Sequence, residues 1–204
     1  IASVFRESAE SISKWVKASY PQSPLKLLSN DDFPISIDTE SPQQIGTDRI
    51  AAATAVTRIK AVDRPAIFAD AGTALTVNAI STNGVFLGGA ILPGTAISGT
   101  ALNLSTDQLP EIFVTADKSA PQPIGRATRS AIASGIYWGS VGAVKELIAQ
   151  MTRALEGRNE SNPPQIFVTG GFGSALAEQL GDSTEFLPQL VLAGIAVAVD
   201  TAKP

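Results

Sequence analysis

Histidine and cysteine are both absent from the 204 residues, methionine occurs once, and tryptophan and tyrosine occur twice each. Without imidazole or thiol there can be no Ser-His-Asp triad, no thiolate nucleophile, no zinc centre with His or Cys ligands and no disulfide. Any proton transfer falls to carboxylates, lysine, tyrosine or water. Basic charge is also short: 15 Lys and Arg stand against 19 Asp and Glu, a net charge of −4. A nucleic-acid partner needs a concentrated basic face, and none is expected here. The longest apolar run, Leu190 to Val199, is about half of what a membrane span requires, and no basic, apolar, small-residue leader opens the chain. No membrane partner and a cytoplasmic location are therefore expected. The chain is 44% apolar and 17% charged, a composition with a real core and little room for disorder. Ile1 stands where a Met would open a gene product, and Ile1 to Val4 already reads as a buried strand, so a cut at the N-terminus is expected.

Periodicity predicts a helix over Glu7 to Tyr20, with Ala9, Ile12, Trp15 and Val16 as its stripe, ended by Pro21. Leu25 to Leu28 reads as a short strand and Asn30 to Gln44, rich in Asp, Pro and Ser, as a loop. Gly46-Thr-Asp-Arg49 opens a helix running to about Val62 with Thr47 as its N-cap. Asp63-Arg-Pro65 marks a boundary between residues 1–62 and 63–204. From Ala66 three strands follow, Ala66 to Ala69, Leu75 to Ile80 and Val85 to Leu92, with Ser81 to Gly84 as a turn. Helices are expected over Ala96 to Leu104, Ala127 to about Leu155, Ser174 to Leu180 and Leu190 to Ala202. Gln165 to Thr169 and Glu185 to Leu187 read as strands. This order predicts a mixed α/β sheet covered by helices. Residues 1–62 hold only part of such a unit, so the segment before Val62 is expected to be poorly covered, whereas the long helix from Ala127 offers a surface for dimerisation.

Four places could carry chemistry. Asp48 falls in the first turn of a helix, where the dipole keeps a carboxylate ionised as a general base must be, and Arg49 beside it offers a fork for an anionic substrate. The plainer alternative is a stabilised helix start with a solvated arginine. Asp70-Ala-Gly-Thr73 joins a possible cation ligand, Asp70, to an unshielded Gly72 and the hydroxyl of Thr73, as a phosphate with its metal would need. An ordinary turn favours the same residues. Thr169-Gly-Gly-Phe-Gly173 follows a strand and precedes a helix, so the amides around Gly170 and Gly171 could face a nucleotide, although no dinucleotide fingerprint or P-loop is present. Thr128, at the start of the long helix, could hydrogen-bond a substrate or simply serve the first turn. Tyr137, Trp138 and Phe172 read as core.

Taken together, Ile45-Gly-Thr-Asp-Arg49, Asp70-Ala-Gly-Thr-Ala-Leu-Thr76, Leu87-Gly-Gly-Ala-Ile-Leu-Pro-Gly94, Ile124-Gly-Arg-Ala-Thr128, Ser134-Gly-Ile-Tyr-Trp-Gly139 and Thr169-Gly-Gly171 resemble the ordered motifs of the type III pantothenate kinases. The resemblance covers nearly the whole chain and implies an actin-like ATPase fold of the ribonuclease H-like kind, with residues 1–62 a remnant of the N-terminal domain and 63–204 the C-terminal domain. It implies Asp48 as the base for the pantothenate hydroxyl and Gly46, Thr47, Asp48 and Arg49 as substrate contacts. Thr128 would contact pantothenate in the same site or that of a dimer mate. Thr73, with Gly72, Gly170 and Gly171, would lie on the nucleotide, and Asp70 on a monovalent cation, K+ or NH4+. ATP and Mg2+ are the implied cofactors and a homodimer the implied assembly. The family's opening Asp-x-Gly-Asn-Thr loop has no counterpart here, Thr39-Glu-Ser-Pro42 stands in the region of a family tyrosine, and Asn78 stands where the family has an acidic residue.

Three functions follow as expectations. The first is ATP-dependent phosphorylation of pantothenate, the first step of coenzyme A biosynthesis, with this chain inactive if the missing loop is essential. The second is a non-catalytic ligand-binding or regulatory protein on the same fold. The third is another actin-like sugar or acetate kinase, which fits the Asp-x-Gly-Thr turn but not the Gly-x-Asp-Arg helix start.

Overall fold

The computed structural model describes residue 2, residues 6–117 and residues 119–201. The strand expected over Ile1 to Val4 lies, apart from Ala2, outside the described residues. In chain order come α1 (Arg6–Ser19), β1 (Ser36–Ile37), α2 (Thr47–Ile59), β2 (Ala66–Ala71), β3 (Ala74–Ile80), β4 (Val85–Pro93), α3 (Thr95–Leu104), α4 (Thr128–Glu156), β5 (Gln165–Thr169), α5 (Gly173–Leu180), β6 (Thr184–Phe186) and α6 (Leu190–Thr201).

The strands form one six-stranded sheet in the order β1-β4-β3-β2-β5-β6. β2, β3 and β4 are an antiparallel meander. β5 adds parallel to β2 and β6 parallel to β5, which requires crossovers through helices. Alternation along the strands divides the core into two layers. Phe68, Ile80, Phe86 and Phe167 pack with Ile50 of α2 and Leu190 of α6. Ile67, Ala69, Val77 and Val168 pack with Tyr137, Val141 and Val144 of α4 and Leu176 of α5. The sheet is thus covered on both faces.

Several expectations are corrected. Leu25 to Leu28 forms no strand, because β1 takes the free edge of β4 instead, pairing Ser36 with Val85 and Ile37 with Phe86. Only Leu28 of that run is buried among apolar neighbours. β1 itself lies inside the stretch read as a loop, which also carries 3-10 turns at Asn30–Asp32 and Pro42–Gln44. The N-cap of α2 is Gly46, and Thr47 is its first helical residue. The helix ends at Ile59 rather than Val62, where buried Lys60 donates its ammonium protons to the carbonyls of Ala61, Arg64 and Thr82. Nor is the segment before Val62 uniformly uncovered, since every residue from Ile50 to Val56 is buried. A helix this apolar all round has to lie inside the protein, and α2 is held between the sheet and α6. The two helices approach so closely that a Cβ on Gly194 would collide with the backbone of Ala51.

Candidate active site

α2 begins where a pinned loop delivers it. The Asn30 side-chain amide donates to the carbonyl oxygens of Pro42 at 3.0 Å and Ile45 at 2.9 Å, fixing the chain just before Gly46. In the first turn, Asp48 Oδ1 accepts the Arg49 amide N–H at 2.8 Å, a carboxylate placed on the positive end of the helix. Arg49 turns towards the sheet: its Nε donates to Asn78 Oδ1 at 2.8 Å, and its guanidinium carbon lies 5.6 Å from the Phe86 ring centre. Burial pushes the Arg49 pKa down while the charge of Asp48 pushes it up. Asp48 and Arg49 are both half-buried.

Asp70, the last residue but one of β2, lies on the face that carries Phe68, the face towards α2. Burial pushes its carboxyl up to about 6, and the negative charge of Asp48 adds to the rise. The two carboxylates, far apart in sequence, therefore sense one another. Beyond Asp70 the hairpin tip Gly72–Thr73 is exposed, with the Gly72 N–H donating to the Ala74 carbonyl at 3.2 Å. The Gly94 N–H at the start of α3 donates to the Thr73 carbonyl at 3.1 Å and holds the tip in place. The turn after β5 closes the other side. The Phe172 N–H donates to the Ala71 carbonyl at 3.0 Å, and Gly170 has a φ of +92° with no room for a Cβ, which would stand 2.6 Å from Asp70 Oδ1. Gly171 is exposed with open space around it.

One rim, at the carboxyl ends of β2 and β5, thus brings together Asp70, Gly72, Thr73, Gly170 and Gly171, and the charge of Asp48 reaches Asp70 from the start of α2, the turn that Gly46, Thr47 and Arg49 share. Thr128 is not among them. It is the exposed first residue of α4 and lines a groove of about 1220 Å³ together with Leu75 and Leu92, which face the opposite layer of the core. The aromatic reading holds in part: Tyr137 and Phe172 are buried in edge-to-face contact, with ring centres 5.4 Å apart, while Trp138 is half-buried. Sequence reasoning missed Phe86 under Arg49, the Asn30 clamp and the role of Asn78 as the arginine's acceptor. The signal for the last was present, because a polar residue in the apolar run Leu75 to Ile80 needs a partner once buried.

An exposed hydroxyl, two glycine turns, an ionisable carboxylate pair and a half-buried arginine at the end of a sheet make a site for an anionic ligand and a proton acceptor. A meander extended by two parallel strands, with helices on both faces and this rim, defines the chain as an α/β protein of the actin-like ATPase fold. A family model described as Type III pantothenate kinase matches residues 1–150. The type III pantothenate kinase of Chlorobaculum parvum is 31% identical over 195 residues, covering 96% of this chain and 71% of the relative. That of Legionella pneumophila strain Paris is 39% identical over 166 residues, covering 80% of this chain and 61% of the relative. In fold alone, the chain is similar to a Baf family protein of Campylobacter jejuni, with a TM-score of 0.59 at 23% identity over 94% of this chain and 78% of the other. The chain belongs to the type III pantothenate kinase family. It spans between three fifths and three quarters of the length of these two curated relatives.

Proposed function

We propose that this protein transfers the γ-phosphoryl group of ATP to the primary hydroxyl of pantothenate, giving 4'-phosphopantothenate and ADP in the first step of coenzyme A biosynthesis. The observation that carries this reading is the convergence of Asp48 and Arg49, at one helix start, with Asp70 and the Gly72–Thr73 tip on one rim, in a chain of this family. Asp48 is the general base. Its Oδ1 is held by the Arg49 amide, so Oδ2 takes the hydroxyl proton as the new O–P bond forms and the bond to the ADP oxygen breaks. Phosphoryl transfer relies on positioning and electrostatics more than on covalent help, so a chain without histidine can perform it. Gly46, Thr47 and Arg49 contact pantothenate, and Thr73 with the backbone at Gly72, Gly170 and Gly171 contacts the nucleotide.

Asp70 fits a hard cation. It is a half-buried carboxylate beside a second negative charge, with no protein donor among the described residues, and a cation there relieves the strain that raises its pKa. Among the described residues no three Asp, Glu, His or Cys side chains come together, so K+ or NH4+ at Asp70 would share protein, phosphate and water oxygens, and Mg2+ would arrive with ATP. When bound, these cations offset phosphate charge. We read residues 1–62 as belonging to an N-terminal actin-like domain and 63–204 as the C-terminal one. We place the protein in the cytoplasm as a homodimer in which Thr128 serves the dimer mate's site.

The test is direct product analysis. The full-length protein, given ATP, Mg2+ and K+, is offered pantothenate, acetate and hexoses in turn. Formation of phosphopantothenate alone is expected. Turnover of acetate or a sugar in preference would move the protein to another actin-like kinase class, and ligand binding without turnover would favour a regulatory role.

A further inference from the structure

Asn78 is fully buried in the middle of β3, where an apolar side chain would pack without the desolvation of an amide. Its bonds show what the amide is used for. The Nδ2 group donates to Thr76 Oγ1 at 3.0 Å, and Oδ1 accepts Arg49 Nε at 2.8 Å. Arginine has only donors, so the oxygen must face it, and the Thr76 hydroxyl fixes the other end of the amide. Space on the neighbouring strand is reserved as well: a Cβ on Gly89 would stand 2.9 Å from Asn78 Oδ1. The guanidinium is thereby held by its Nε edge against Phe86. Among the described residues neither Nη group has a protein acceptor. An aspartate at position 78 would also offer Nε an acceptor, so the geometry asks for an acceptor oxygen here, which alanine lacks.

We propose that Asn78 is the positioning residue for Arg49, anchoring the guanidinium by Nε so that both Nη groups serve the carboxylate or carbonyl oxygens of the acceptor substrate. The inference rests on the pantothenate reading above. It assigns Asn78 to substrate binding and not to the proton transfer made by Asp48.

The experiment compares wild type, N78A and N78D in the full-length protein by steady-state kinetics and by the exchange protection of the Arg49 Nε–H in 15N NMR spectra. Removing the acceptor in N78A should raise the pantothenate KM by roughly tenfold, leave kcat within about threefold, and abolish the Nε–H protection. N78D keeps an acceptor for Nε, so both the protection and the pantothenate KM should stay within about threefold of wild type. A KM within about twofold of wild type in N78A, a KM raised about tenfold in N78D with the Nε–H still protected, a fall in kcat at constant KM, or an Nε–H still protected in N78A overturns the proposal. If N78A does not fold, N78L, which fills the space without an acceptor, decides by the N78A criteria. If wild type turns over no pantothenate, the functional reading fails on its own, while the Nε–H signal in N78A still decides whether Asn78 anchors Arg49.

Discussion

Asp70 is the residue most out of balance. Its carboxyl is pushed up to about 6 from an ordinary 3.8 by burial first and by Asp48 second. A folded pKa above the unfolded one means that the native state binds the proton more tightly. The favourable contribution is therefore complete below about pH 4 and is lost as pH rises through 6, so at neutral pH Asp70 works against the fold. Asp70→Asn should raise the thermal midpoint at pH 7 by an amount equivalent to ~1–3 kcal/mol and flatten the decline between pH 4 and 6. KCl at constant ionic strength should stabilise wild type at pH 7 and leave the variant unmoved. Equal pH slopes in the two proteins, or an equal response to potassium, would show that Asp70 is a plain turn residue. A second residue-scale expectation concerns Asn78, whose truncation is read in KM and not in kcat.

At the scale of elements, the start of α2 is kept in place beside the end of β2 by a helix pair with little tolerance. α6 crosses α2 through Gly194 against Ala51, with Ala198 and Leu190 in the same core. Gly194→Val should separate the helices, lower stability by ~2–3 kcal/mol or more, and weaken substrate binding because Asp48 and Arg49 ride on α2. Denaturant unfolding with an unchanged midpoint would contradict this packing. The β2-β3-β4 meander, α4 and β5 were legible in the sequence to within a residue or two, since alternation and glycine turns are local signals. The motif residues around Asp48, Asp70 and Gly170 were legible for the same reason. What escaped was non-local. Leu25 to Leu28 has strand-like residues but no edge to pair with, whereas the two-residue run Ser36–Ile37, inside a stretch rich in Asp, Pro and Ser, meets the free edge of β4. The Asn30 clamp and the Arg49–Asn78 bond join residues whose spacing carries no periodicity. Thr128 lay in the right motif, but only the sheet's two faces reveal that it stands away from Asp48.

Across the whole molecule the large groove between α3 and α4 is the feature that looks outward. Leu92, Leu102, Ile132 and Ile136 line it with Gly135 and Gly139, and Leu102 and Ile97 on α3 are exposed. A surface of this kind, apolar and with small residues on a long helix, suits a second copy. A side chain at Gly139 meets nothing within 4 Å inside one chain, so Gly139→Glu tests the assembly without disturbing the fold. Analytical ultracentrifugation should give a dimer for wild type and a monomer of unchanged circular dichroism for the variant; a dimer in both would place the interface elsewhere. Removal of the pantothenate hydroxyl proton by Asp48 is put to the test by single-turnover phosphorylation with Asp48→Asn in the full-length protein. The amide keeps the shape and the helix start but cannot accept the proton, so the chemical step should slow by ~10² to 10⁴ with pantothenate binding nearly unchanged. A single-turnover rate within a few-fold of wild type would contradict it.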